Sequence, residues 1–344
     1  MGMKVGIPRG LFYYRYFPLW KTFLEELGAE ITVSDATNKK ILDDGVKSCV
    51  DEACLPVKLF HGHVINLAGR VDCIFIPRFT SISRNEYVCP EFGGLPDMIR
   101  HTVKNLPMLI DTEVNLRKSG RNSWKAALET GSCFGGSRAD IKRAFSRAVE
   151  EYRLYRDTTR SGVMPSFPGG LQRDSGDRRD RKRPGIIPTF PGGSQRDSGD
   201  TQKCLKIAVI GHAYNIYDSY INMDMLGKLR KLGAEAITVE MVDETEINRH
   251  TAALAKPMFW NFGRKALGSV SHFIEKGDID GIIYAMSFGC GIDSFVCDLA
   301  ERKVRRETDI PMIVLTLDEH SGEAGMNTRL EAFIDMIKIN RFIK

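Results

Sequence analysis

Three cysteines in this chain occupy positions where a thiol could meet a ligand. The clearest is Cys290, within Tyr284-Ala-Met-Ser-Phe-Gly-Cys-Gly-Ile-Asp-Ser. The apolar run Ile282 to Met286 predicts a buried strand, and Asp293 or Ser294 can cap the amphipathic helix expected to follow through Arg306. Cys290 then falls on a strand-to-helix turn at the carboxyl end of a sheet, where open α/β sheets bind ligands. Gly289 and Gly291 remove side-chain bulk on both sides, so a large group can approach the sulfur. A buried thiol packed as a small hydrophobe is the plainer alternative. Cys54 lies in Asp51-Glu-Ala-Cys-Leu-Pro-Val-Lys, two residues before a proline suited to the first turn of a helix running through His61 and His63 to Leu67. The dipole at that N-terminus favours a thiolate, the form that ligates or reacts. Cys89 opens Cys89-Pro-Glu-Phe-Gly-Gly-Leu-Pro, in a connection after another strand.

The elements that must position these thiols follow from apolar periodicity. Lys4 to Pro8, Ala29 to Ser34, Val71 to Pro77 and Met108 to Ile110 read as strands. Tyr13 to Leu27 and Asn38 to Val46 read as helices, Thr80 to Val88 as a polar loop, and Asp97 to Lys104 as a further helix. A long helical connector is expected over Ala126 to Arg156. The second half restarts the plan. Lys4-Val-Gly-Ile-Pro corresponds to Lys206-Ile-Ala-Val-Ile, and Leu27-Gly-Ala-Glu to Leu232-Gly-Ala-Glu. Val71-Asp-Cys-Ile-Phe-Ile corresponds to Ile279-Asp-Gly-Ile-Ile-Tyr, and Leu106-Pro-Met-Leu-Ile to Ile310-Pro-Met-Ile-Val. The expected fold is α/β: two similar Rossmann-like, flavodoxin-like domains with parallel sheets, facing across a cleft.

That repeat sorts the cysteines. Cys54, Cys89 and Cys290 are expected at the carboxyl edges, Cys204 before a strand at the opposite edge, Cys73 inside a strand, and Cys297 in the core face of a helix. Cys49 is a fourth or substitute candidate, and Cys133 lies in the connector. No tight Cys-x-x-Cys pair occurs, and in a chain read as intracellular the eight cysteines suggest thiols or metal ligands rather than disulfides. Three converging thiolates suit an iron–sulfur centre with one iron left open. Zinc held by Cys54, Cys89, Cys290 and His61 or His63 is the competing reading. Asp318, Glu319 and His320 follow the strand Ile313 to Leu317. His320 could donate a proton there, with Glu319 beside it, or the turn could merely cap the helix Thr328 to Ile339 and pair with Arg329. Glu52, His61 and His63 flank Cys54 as outer partners or plain helix residues.

Five segments together resemble the acyl-CoA dehydratase activase-related proteins, relatives of the 2-hydroxyacyl-CoA dehydratase subunits. They are Val5-Gly-Ile-Pro-Arg-Gly-Leu, Asp51-Glu-Ala-Cys-Leu-Pro-Val-Lys, Cys89-Pro-Glu-Phe-Gly-Gly-Leu-Pro-Asp-Met-Ile, Ser287-Phe-Gly-Cys-Gly and Leu317-Asp-Glu-His-Ser-Gly-Glu-Ala-Gly-Met-Asn-Thr-Arg-Leu-Glu-Ala-Phe. The resemblance implies a cysteine-held iron–sulfur cluster between α/β domains, carried over to Cys54, Cys89 and Cys290. Relatives include double-cubane proteins, but a double cubane needs about twice as many thiolates and only Cys49, Cys133 and Cys297 are spare, so a single 4Fe–4S cluster is expected. The resemblance implies a separate ATP-hydrolysing activator of the actin and Hsp70 type with its own cluster, because no ATP-binding glycine signature appears in this chain. The reaction stays open between a dehydratase and an ATP-dependent reductase component. By kinship the substrate is a small molecule or acyl-CoA ester, and association into a dimer or hetero-oligomer fits. A non-enzymatic zinc-binding or scaffold protein of the same fold is the alternative.

The bulk numbers bound the rest. The 344 residues suffice for two domains, at 42% hydrophobic and 27% charged residues. No signal peptide or membrane span is read, so the expected location is cytoplasmic. The net charge of +5 is concentrated in residues 160–203, where nine Lys or Arg meet five Asp, so a nucleic-acid face is not expected. There, Ser166-Phe-Pro-Gly-Gly-Leu-Gln-Arg-Asp-Ser-Gly-Asp recurs from Thr189 with a period of 23 residues. This Pro, Gly, Ser, Asp and Arg-rich composition cannot bury a core, so a disordered insertion is expected. The division is 1–125 first α/β domain, 126–159 connector, 160–203 insertion and 204–344 second α/β domain. Deleting residues 166–200 should leave melting temperature and metal content nearly unchanged, because loop closure changes by only about 0.6 kcal/mol per doubling of length. A deletion variant that aggregates or loses its metal overturns the linker reading.

Overall fold

In the computed structural model the chain is described over residues 2–165, 167 and 204–343, with the side chains of 342 and 343 set aside. The insertion expected at 160–203 therefore lies almost wholly outside the described residues. The first half runs β1 (Lys4–Ile7), α1 (Tyr13–Glu26), β2 (Glu30–Val33), α2 (Lys39–Ser48), α3 (Leu55–Leu67), β3 (Cys73–Phe75), β4 (Arg78–Ser81), α4 (Pro90–Thr102), β5 (Met108–Ile110), β6 (Glu113–Asn115), α5 (Asn122–Ser132) and α6 (Arg138–Arg160). The second runs β7 (Leu205–Gly211), α7 (Ala213–Tyr217), α8 (Met225–Lys231), β8 (Ala234–Thr238), α9 (Glu244–Ala252), α10 (Asn261–Lys276), β9 (Gly281–Ser287), α11 (Gly291–Glu307), β10 (Met312–Leu317) and α12 (Glu323–Ile343).

Two four-stranded parallel sheets result, in the orders β2-β1-β3-β5 and β8-β7-β9-β10. The same order in both halves is what two similar Rossmann-like units require. The repeat extends to single hydrogen bonds. The Lys4 amide donates to the Asp72 carboxylate at 2.7 Å, and the Lys206 amide donates to Asp280 at 2.7 Å. Each strand start is thus tied by the aspartate that precedes the third strand of its sheet. Buried aliphatic residues cover both faces of the second sheet. Ile207, Ile283 and Leu330 pack on one side, and Ile210, Tyr284 and Val270 on the other. In the first half, Val5, Leu24, Ile74 and Ile99 form the corresponding core.

Several local expectations change. The polar loop expected over Thr80 to Val88 begins inside β4, which pairs in parallel with β6 as a small separate sheet; short polar strands carry little periodic signal, so the partner reveals them. The connector is two helices, broken after Ser132, with Gly135 in the left-handed region at φ +68°. The helix expected from Asp97 begins at Pro90, and Pro96 sits inside it. The last helix begins at Glu323 rather than Thr328. Phe167 packs against Tyr13, Tyr14 and Tyr217, so a deletion of the following segment is cleaner if it spares that ring. Among the described residues no helix is long and apolar enough to cross a membrane.

The halves share packing through α2 and α3. Ile41, Leu55 and Leu59 belong to the same buried cluster as Ile207, Leu315 and Met326 of the second half. The two helices meet backbone to backbone. A Cβ on Gly62 would stand 1.9 Å from the Ile41 carbonyl oxygen, and one on Gly45 would stand 2.0 Å from that of Lys58. Any side chain there forces α3 away from α2, and α3 carries Cys54 at its start. Gly62→Ala should therefore destabilise by about 1–3 kcal/mol as an overpacking change. Gly94→Ala on α4, where a Cβ meets nothing within 4 Å, should be neutral or slightly stabilising. Urea melts decide; equal effects at both sites would show that the α2–α3 contact is not as tight as described.

Candidate functional site

Each of the three candidate cysteines is the residue immediately before a helix. Cys54 precedes α3, Cys89 precedes α4, and Cys290 precedes α11. Prolines in the first turns of α3 and α4 cost no hydrogen bond, because those N–H groups lack intrahelical partners anyway. At α11 the Cys290 sulfur itself accepts from the Asp293 amide at 3.4 Å. Cys290 is thus the capping residue expected of Asp293 or Ser294. Asp293 instead turns inward, fully buried, and accepts from the Tyr284 hydroxyl at 2.9 Å, while its second oxygen has no partner.

All three cysteines line one cavity of about 60 Å³, several times the space that one water occupies. Its walls come from both halves of the chain, including Arg15 and Glu91 from the first and Tyr214 and Lys265 from the second. Gly289 closes the approach between Cys290 and Cys54. It has φ +80°, and a Cβ there would lie 3.4 Å from the Cys54 Cα, so both the backbone and the close approach favour glycine.

The electrostatics overturn one expectation. The helix dipole was expected to make Cys54 a thiolate, yet burial first, and the neighbouring Glu91 carboxylate second, hold its pKa far above the ordinary thiol value. The Cys54 thiol donates to Glu91 Oε2 at 3.3 Å, and the Cys89 thiol faces the same oxygen at 3.8 Å. Burial pushes Cys89 up to about 11 and Cys290 up to about 12, the latter with help from Asp293. Without a metal these are neutral thiols. A coordinating cation reverses that balance, because a bound thiol gives up its proton.

The remaining candidates separate from this cavity. His63 is fully buried and hydrogen-bonded to Ser34 and Thr37, at 2.9 and 3.1 Å. His61 turns its Nδ1 to the Val57 carbonyl at 2.8 Å. Neither lines the cavity, so the zinc set with a histidine ligand is not assembled: both rings lie on α3 turns that face the core. Glu319 forms an ion pair with Lys58 at 3.0 Å, and His320 is exposed with its amide held by Asp318. Glu52 is exposed. Cys49 ends α2, outside the cavity lining, and Cys73 and Cys297 are buried in the core. Cys204 and Cys133 are exposed, Cys204 beside the first residue of β7 as expected.

The structure adds residues that sequence reasoning passed over. Glu91, two residues after Cys89, bridges two thiols. His212 stacks between Tyr214 and Phe262 at centroid distances of 4.6 and 3.5 Å, and burial drives its pKa down to about 3. Lys265 is pushed down to about 7 by burial and Arg15, against the pull of Glu244. The donor set fits a group larger than one ion. Among the described residues, the one group whose three ligand atoms all lie within 4.8 Å of each other is elsewhere, on α9 and α10. The three cysteines do not form a group of that kind, whereas thiolates about 2.3 Å from one tetrahedral zinc stand about 3.8 Å apart.

Comparison with known proteins gives two family matches. The family described as the CoA enzyme activase uncharacterised domain matches residues 4–242, more than half of the chain. The family described as the 2-hydroxyglutaryl-CoA dehydratase D-component matches residues 220–337. No curated protein matches. Among solved structures, the glycosyltransferase SnogD from Streptomyces nogalater is 13% identical over 98% of this chain and 96% of its own, with a TM-score of 0.20, and carries no argument.

Glu91 gives a direct test of the site's electrostatics. Glu91→Gln removes a charge that raises both neighbouring thiols, so more thiolate forms at a given pH. Iodoacetamide should then modify Cys54 and Cys89 in metal-free protein roughly threefold faster or more at pH 8, since each unit of pKa is worth tenfold in thiolate. Unchanged rates would mean that desolvation alone sets these thiols.

Proposed function

The chain belongs to the family of the CoA enzyme activase uncharacterised domain, and from that premise we propose that it is a 2-hydroxyacyl-CoA dehydratase-like component carrying a 4Fe–4S cluster. The observation that carries the reading is the convergence of Cys54, Cys89 and Cys290, each at the start of a different helix, on one cavity. In this reading the three thiolates hold the cluster. When bound, such a cluster stores and passes single electrons at low potential.

The surrounding residues support that role physically. Three helix N-termini direct positive dipole ends at the cavity and offset the negative charge of a thiolate-ligated centre. Glu91 sits where it can receive one of the protons that Cys54 and Cys89 must release on loading, the others passing to solvent, so loading is coupled to proton loss. Because the thiols come from both halves of the chain, loading also ties those halves together. Arg15 and Lys265 stand on the cavity wall, where an anionic part of a substrate would find positive charge. Electrons are proposed to arrive from a separate ATP-dependent activator protein, and a small molecule or acyl-CoA ester is the proposed acceptor. His320 and Glu319 stand outside the cavity lining, and a proton-donor role for His320 requires the substrate to reach that turn.

Anaerobic purification tests the proposal. Brown protein with iron and sulfide in equal amounts per folded chain is expected, and Cys54→Ser, Cys89→Ser and Cys290→Ser should each strip or convert the cluster, since a hydroxyl is a harder and less acidic ligand than a thiol. Cys73→Ser and Cys204→Ser should retain it, although Cys73→Ser buries a hydroxyl and loses stability. Colourless protein with stoichiometric zinc, or full iron content in Cys290→Ser, would overturn the assignment.

A further inference from the structure

Away from the cysteine cavity, α9 and α10 bring a second set of metal-ligating side chains together. Glu246 and His250 lie four residues apart on α9, and His272 and Glu275 three apart on α10, so each pair shares one helix face. One ligand atom from each of Glu246, His250 and His272 falls within 4.8 Å of the other two. The Glu246 carboxylate is 3.5 Å from His272 Nδ1. Two ligands about 2.1 Å from one tetrahedral ion stand about 3.4 Å apart, so these atoms need to move very little. The two rings cross at 76° with centroids 5.8 Å apart, edge towards face.

The group that now satisfies these ligands is itself a cation. The Arg249 guanidinium donates to Glu275 at 2.9 and 3.0 Å and to Glu246 at 2.8 and 3.2 Å, and its Nη2 lies 3.0 Å from His250 Nε2. Donation by Arg249 requires an unprotonated Nε2, which puts the His250 proton on Nδ1, facing Glu275 at 3.6 Å. Burial, with Arg249 adding to it, holds His250 below its ordinary pKa and so in the neutral form that ligates metals. An imidazole with one nitrogen towards a carboxylate and a lone pair towards a shared cation is the arrangement that orients histidine ligands. The His250 side chain is 8% exposed, while that of Arg249 is 50% exposed, so the guanidinium can swing out without disturbing the rings.

We propose that Glu246, His250 and His272 form a binding site for a borderline divalent transition ion, zinc foremost, which displaces the Arg249 guanidinium and leaves one position open to solvent. Two imidazoles and one carboxylate suit zinc, whereas calcium seeks six to eight oxygens. An ion here would fasten α9 to α10. The start of α10 carries Arg264, paired with Glu86 and Glu244, and Lys265, on the cysteine cavity wall. The proposal stands independently of any cluster on the cysteines.

Titration of the anaerobically purified full chain with Co²⁺, followed by Zn²⁺ competition, tests it. Ligation by nitrogen and oxygen is expected to give ligand-field absorption without a thiolate-to-metal charge-transfer band, and Zn²⁺ should abolish it. His250→Ala and His272→Ala should each weaken binding at least tenfold, with melting curves confirming that both fold. His272→Gln replaces the alanine variant if it does not. Arg249→Ala should bind several-fold more tightly, an outcome that a merely structural ion cluster would not produce. Binding unchanged in both histidine variants, a cobalt signal arising only from thiolates, or no binding at all overturns the site.

Discussion

The structure turns on where parallel strands end. In both halves every sheet strand points its carboxyl end the same way, so the turns into the following helices collect on one side. Cys290 sits on a turn of that kind, after β9, whereas Cys54 follows α2 and Cys89 follows β4 of the small sheet; all three are helix N-termini with unpaired N–H groups. The cavity is consequently walled by the positive ends of three dipoles and by thiols that burial keeps protonated. A coordinated cationic centre would take those protons' place, and the helix dipoles would offset the negative charge of the resulting thiolates. Geometry and charge therefore point to the same chemistry.

That geometry depends on how the halves are joined, and the joints are polar and buried. Asp218 accepts from Tyr14 at 3.0 Å and from Thr37, both in the first half, and Thr37 in turn meets the buried His63. Lys58 on α3 pairs with Glu319 after β10, and Arg264 and Asn261 on α10 hold Glu86 from the first half. Such pairs contribute little net stability but impose a large penalty if one partner is lost, since the other is left buried and unpaired. They therefore set the relative placement of the halves more than they add to the depth of the fold. The Lys58–Glu319 pair acts one turn along the helix that Cys54 begins, so it bears directly on the position of that sulfur.

The two candidate sites differ in how they meet the problem of buried charge. At the cysteines, desolvation wins and the ligands wait as neutral thiols beside a carboxylate. On α9 and α10 the ligands are partly exposed, and an arginine supplies the compensating charge. The first arrangement needs proton release on loading; the second needs only the exchange of one cation for another.

Much of this was legible in the residues. Apolar runs and their spacing determined the main strands and most of the helices of the first half, and the four matched segments determined that the second half repeats the first, down to the paired aspartates Asp72 and Asp280. The sequence by itself also placed Cys290 on the turn out of a sheet strand; Cys54 instead follows α2 and Cys89 follows β4 of the small sheet, so the end of a parallel strand accounts for Cys290 alone. Tertiary structure alone decided that the three line one cavity, that Glu91 lies between two of them, and that His61 and His63 turn into the core. It also decided that β4 finds β6, and that Glu246 and His250 meet His272. The physical reason is range. Periodicity and capping report on neighbours within one or two turns, whereas desolvation, through-space charge and strand pairing are set by whatever distant chain packs alongside. The Cys54 thiol shows the difference: its local dipole argues for a thiolate, and burial together with a carboxylate from another helix reverses it.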